Sequence, residues 1–76
     1  WQQEEINEQA LKEAITAQRQ LRIDYVAPDG QRTSHPMTPQ RIFSKNYYLW
    51  VEAMTEGAGW LITCRIDRIE NIVFLA

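Results

Sequence analysis

Near residue 20 the hydrophobic period of this chain changes from three-to-four residues to two, so a helix should give way to β-strands. Before the change, Ile6, Ala10, Leu11, Ala14 and Ile15 share one stripe at helical spacing. Ala, Leu, Lys, Glu and Gln fill the remaining positions, and acidic residues crowd the start while Arg19 stands at the end. The spacing predicts a helix from Glu4 to about Arg19. After the change, Leu21-Arg22-Ile23-Asp24-Tyr25 alternates apolar with charged residues, as a strand with one buried face does. Tyr25 belongs on its buried side.

Turn residues divide the rest into short strands. Ala27-Pro28-Asp29-Gly30 reads as a turn, and Gln31 to about Met37 closes a hairpin. Pro36 and Pro39 bracket an expected break, because proline donates nothing to a ladder. Arg41 to Ser44 follows, then a tight turn at Lys45-Asn46. Tyr47 to Met54 is the strongest strand, rich in aromatic and β-branched residues. Thr55 to Gly59 reads as a flexible loop; Trp60 to Asp67 and Ile69 to Leu75 complete the set. One helix and five short strands in 76 residues suggest a small β-barrel, since closure removes exposed edges, with the helix over one open end.

A chain this short forms a single domain, residues 1–76, that buries roughly 60% of its unfolded surface. Cys64 is the only cysteine, which argues against a disulfide scaffold and for a reducing, cytoplasmic setting. No apolar run approaches the roughly 18 residues of a membrane span. The abrupt start at Trp1 suggests a domain cut from a longer chain. Net charge is −2, but the acids gather in the helix as Glu4, Glu5, Glu8 and Glu13, leaving the strand region slightly basic.

Little points to catalysis. Cys64 stands in an apolar alternation, where a thiol is inert. No Cys/His set has metal spacing, and no Gly-rich loop precedes a helix. We expect no enzymatic activity, no cofactor and no metal.

Three segments resemble the WYL domain family: Ala10 to Ile15 leading into Leu21 to Tyr25; Tyr47-Tyr48-Leu49 preceded by Pro39-Gln40-Arg41-Ile42-Phe43; and Cys64-Arg65-Ile66-Asp67-Arg68-Ile69. Tyr47 stands at the family's name-giving Trp, Cys64 at its usual Phe, and Ile62 where an Arg is frequent. The resemblance implies an Sm-like or SH3-like five-stranded barrel. It implies a sensing module that binds single-stranded DNA or RNA, or a nucleotide-like effector, beside a winged-helix domain in a bacterial transcription regulator.

Candidate ligand contacts follow from strand alternation. Tyr47, Leu49, Val51 and Ala53 should face the core, and Tyr48, Trp50 and Glu52 should face outward. Tyr48 then offers a ring for base stacking, although both it and Trp50 could equally pack under the helix or against a neighbouring domain. Arg65 should leave the core, where its guanidinium suits phosphate or a surface ion pair. Arg41 and Lys45 could add charge beside Tyr48, or simply be solvated. His35 is a conceivable phosphate donor or a plain surface residue. Arg68 is a further candidate, with local bonding between Asp67 and Arg68 as its structural alternative. Exposed aromatics also suit a protein interface, so a dimerisation module without a ligand is the rival expectation.

Overall fold

A computed structural model describes residues 2–57 and 59–75. Trp1 and Ala76, the ends of the expected domain, and Ala58, in the expected flexible loop, lie outside the described residues. The elements are α1 (Gln2–Ala17), β1 (Leu21–Val26), β2 (Arg32–Lys45), β3 (Tyr48–Thr55), β4 (Leu61–Arg65), a 3-10 turn (Ile66–Arg68) and β5 (Ile69–Phe74).

The helix stops two residues sooner than its pattern predicts. Gln18 takes φ 54°, its N–H bonds to Ile15 O at 3.3 Å, and the Arg19 N–H reaches Ala14 O at 2.9 Å. This pair of backward bonds satisfies the last carbonyls and turns the chain into β1. Arg19 then lies over the Phe74 ring, 4.4 Å from its centroid.

The inward face of α1 is also rotated from the expected stripe. Asn7, Leu11 and Ala14 are buried, whereas Ile6 is 60% exposed. The polar residue can point inward because its amide is satisfied: Nδ2 donates to Ile69 O at 2.9 Å, and Oδ1 accepts from Gln3 Nε2 at 3.0 Å. Asn7 thus ties the helix to the first residue of β5.

All neighbouring strands are antiparallel, in the order β4-β3-β2-β1-β5. The closed Sm-like or SH3-like barrel expected from the sequence is not made by this ladder: among the described residues β4 and β5 remain unpaired edges. The reason lies in residues 66–68. They leave the extended conformation for a 3-10 turn, so the strand expected over 60–67 ends at Arg65. Ile66 plugs the gap from within, fully buried, and α1 packs across the 3-10 turn, β2 and β5. The core joins Leu11 and Ala14 of the helix to Leu21, Ile23, Met37, Val51, Ala53, Cys64, Ile66 and Ile69.

The break expected between Pro36 and Pro39 is absent. β2 runs unbroken for 14 residues, pairing with β1 as far as Met37 and with β3 from Met37 onward. Pro36 sits beside this hand-over. Pro39 sits at a bulge: it pairs with Ala53 and Arg41 pairs with Glu52, so Gln40 has no partner. The bulge reverses the strand's parity. Met37 and Pro39 are buried before it; after it, Ile42 packs against the core while Arg41, Phe43 and Lys45 share the outward face with their partners Glu52, Trp50 and Tyr48.

The following turn is Asn46-Tyr47, not Lys45-Asn46. Both residues have positive φ, 53° and 68°, as a two-residue primed hairpin turn requires. Tyr47 therefore leaves the expected core set and stands fully exposed, while Leu49, Val51 and Ala53 face inward as expected.

Two outcomes follow. Deleting Gln40 should abolish the cooperative thermal transition, because Arg41, Phe43 and Lys45 would turn toward the core; Gln40→Ala should change stability by less than about 0.5 kcal/mol. A deletion variant that still melts cooperatively would show that the bulge does not fix register. Second, burial pushes the Cys64 thiol from its ordinary 9.0 up to about 11. The folded state thus favours the protonated thiol. Its contribution is complete below about pH 9 and is lost as pH rises toward 11, a change of up to about 2–3 kcal/mol. Urea unfolding of the protein should weaken more steeply over that range than unfolding of Cys64→Ala; parallel profiles would contradict this.

Candidate functional site

The outward face of β2, β3 and β4 collects most of the candidate residues. Trp50 pairs with Phe43 on one side and with Arg65 on the other, and Tyr48 pairs with Lys45. The hairpin turn and the Gln40 bulge together fix this arrangement, the first by setting the pairing and the second by turning β2 over.

Tyr48 and Arg65 are in contact. The Arg65 guanidinium lies over the Tyr48 ring, 3.6 Å from its centroid. It is also forked onto Asp67, Nε to Oδ1 at 2.8 Å and Nη2 to Oδ2 at 2.6 Å. These bonds raise the Arg65 pKa and lower that of the Asp67 carboxyl, so both remain charged across the ordinary pH range. The Arg65 backbone N–H donates to the Tyr25 hydroxyl at 3.2 Å, and Tyr25 packs against the core. The Arg65 side chain is 19% exposed. Two of its nitrogens serve Asp67 and its plane is held by Tyr48, leaving Nη1 free of hydrogen bonds among the described residues.

Arg41 lies over the Phe43 ring, 4.6 Å from its centroid, and pairs with Glu52 at 3.2 Å. Lys45 ends β2 beside Tyr48 and has no carboxylate partner among the described residues. Its carbonyl accepts the Trp50 Nε1–H at 3.0 Å. Arg68 is half-buried in the 3-10 turn. Local bonding between Asp67 and Arg68 is not what holds that turn, since Asp67 bonds to Arg65; Arg68 contributes only a favourable field. His35 stands apart. It lies on the half of β2 that pairs with β1, opposite Ile23, and contacts the Thr33 hydroxyl at 3.0 Å.

Sequence reasoning placed Trp50 on this face but missed Phe43, Asn46 and Thr63. Phe43, Asn46, Trp50 and Thr63, with Lys45, line a cleft of about 310 Å³. With the turn placed at Asn46-Tyr47, Phe43 and Trp50 fall opposite each other; with it placed one residue earlier, they do not.

The face is cationic although the chain is not. It carries Arg41, Lys45 and Arg65 against Glu52 and Asp67, whereas Glu4, Glu5, Glu8 and Glu13 ride on α1, which covers the other side of the sheet. No helix among the described residues is long and apolar enough to cross a membrane.

Comparison with known proteins agrees with this architecture. A solved structure of proteasome accessory factor B/C (PafBC) of Arthrobacter aurescens superposes with a TM-score of 0.86 at 25% identity, over 93% of this chain. The matched part is 11% of that protein, so the chain spans a small fraction of its relative. No curated protein matches the sequence significantly. The family model for the WYL domain matches residues 7–74, from the buried Asn7 to the last residue of β5, and this chain belongs to the WYL domain family.

Proposed function

We propose that this chain is the non-catalytic sensing domain of a larger cytoplasmic transcription regulator, and that it binds single-stranded nucleic acid or a nucleotide-like effector. The observation that carries this reading is the Arg65 guanidinium stacked on Tyr48 at 3.6 Å, on the outward and cationic face of the sheet. Stacking and the Asp67 fork hold the guanidinium plane fixed, so a phosphate meeting the free Nη1 pays little ordering entropy. Arg41 and Lys45 extend the positive charge along β2, and aromatic rings among cations suit single strands. Membership of the WYL family supports a place beside a winged-helix DNA-binding domain. Binding would act on such a domain through different affinity for two of its arrangements.

Fluorescence anisotropy with a labelled deoxythymidine decamer across a salt series tests this directly. Contacts from Arg41, Lys45 and Arg65 predict a log–log salt slope of about −2. Tyr48→Ala should weaken binding by about 5- to 150-fold, the equivalent of about 1–3 kcal/mol for one lost stack. Arg65→Ala should weaken it and flatten the slope by about 0.7. Binding that ignores both salt and these substitutions would sink the reading.

A second reading has its own observation. Met54 and Leu61 are cross-strand partners, Trp60 adjoins Leu61, and the three are 36%, 52% and 66% exposed. An apolar cluster at a hairpin end suits a protein interface. If the chain is instead a dimerisation module, sedimentation should show a concentration-dependent dimer that Leu61→Glu disrupts, with no affinity for the decamer. A monomer at all concentrations would dismiss this alternative.

A further inference from the structure

We propose that the cleft between Phe43, Trp50 and Thr63 receives a nucleobase, with the Lys45 ammonium at its rim holding the adjoining phosphate. The proposal rests on the nucleic-acid reading above and adds a subsite that the Tyr48–Arg65 pair does not supply.

The cleft has the walls a flat heterocycle needs. Phe43 and Trp50 are register partners on one face of the sheet, which brings their side chains against each other. The one donor of Trp50, its Nε1–H, goes to the Lys45 carbonyl at 3.0 Å. The indole is therefore oriented by the hairpin and has only ring surface left to offer. Asn46 and Thr63 contribute side-chain donors and acceptors that make no hydrogen bond among the described residues. An amide and a hydroxyl beside aromatic surface match the polar edge and the π-face of a base together. The volume, about 310 Å³, is small for a ligand pocket and suits a ring system better than a folded peptide.

The surroundings point to a phosphate on that ring. Lys45 lines the cleft, lacks a carboxylate partner among the described residues, and is the register partner of Tyr48. It thus belongs to the cleft and adjoins Tyr48 as well. One face of the Tyr48 ring is already covered by Arg65, which leaves room for a single base there, so a second base finds its aromatic surface at Phe43 and Trp50. Two neighbouring nucleotides would then place one base in the cleft, the linking phosphate at Lys45, and the next nucleotide at Tyr48 and Arg65. By contrast, the larger hollow of about 580 Å³ along α1 is lined by Gln9, Ala10, Lys12, Glu13, Thr16 and Ala17 and contains no aromatic ring.

The test uses Trp50 as its own reporter. Trp1→Phe with Trp60→Phe leaves it the sole indole of three. This variant is titrated with thymidine monophosphate, the deoxythymidine decamer and inorganic phosphate, while anisotropy follows the labelled decamer separately. The expected result is saturable quenching of Trp50 by the decamer and none by inorganic phosphate, with Lys45→Glu raising the Kd about tenfold or more. Quenching by the monophosphate as well assigns the cleft to a free nucleotide; quenching by the decamer alone assigns it to a strand. Decamer binding by anisotropy with unchanged Trp50 emission overturns the cleft and leaves the broader nucleic-acid reading standing. Quenching with wild-type affinity in Lys45→Glu overturns the phosphate position. No binding by either readout overturns both proposals. Lys45 is exposed, so its substitution leaves the fold intact and the comparison meaningful.

Discussion

The aromatic and cationic face of β2 and β3 exists because Gln40 has no partner. Period-two alternation would carry the inward parity of Met37 and Pro39 through to Arg41, Phe43 and Lys45, and would bury two cations. One extra residue reverses that parity. Proline is the natural neighbour for such an irregularity, since it has no N–H to lose from the ladder. The same 14-residue strand thus turns Met37 and Pro39 inward before the bulge and Arg41, Phe43 and Lys45 outward after it.

The site is built into the core as well as displayed on it. Arg65 ends β4, donates its backbone N–H to the hydroxyl of a tyrosine packed on the core, and holds Asp67 in the 3-10 turn. Ile66, between them, is fully buried. One residue beyond the turn, the Ile69 carbonyl accepts the Asn7 amide of α1. A phosphate held at the free Nη1 would therefore rest on a side chain tied to the turn against which the helix packs. The Arg65–Asp67 ion pair is partly exposed, so its own contribution to stability is modest.

Much of this was legible in the residues. The helix-to-strand switch, five strands, and the outward sense of Tyr48 and Arg65 all follow from periodicity, which local physics imposes directly. The misreadings share one origin: tertiary bonds overruled a local pattern. Ile6 yielded the inward position to Asn7 because a carbonyl 62 residues away satisfies the amide. Pro36 and Pro39 did not break β2 because a change of strand partner and a bulge accommodated them. The open ladder depends on three residues, 66–68, whose 3-10 geometry has no periodic signature. The cleft was invisible for a simpler reason. A turn displaced by one residue changes which side chains meet across the strands, and only the placement at Asn46-Tyr47 sets Phe43 against Trp50.

That turn also bears on what the hairpin is for. A residue with a Cβ held at φ 68° costs about 1–2 kcal/mol relative to its relaxed backbone, which is why glycine or asparagine usually occupies such positions. Asn46 follows the preference and Tyr47 does not. Tyr47 recovers nothing from burial, since its side chain is fully exposed. Folding alone would favour glycine there. The strain at Tyr47 is therefore not offset by packing among the described residues. Its ring stands at the tip of the hairpin, between Asn46, which lines the cleft, and Tyr48, which carries the Arg65 guanidinium.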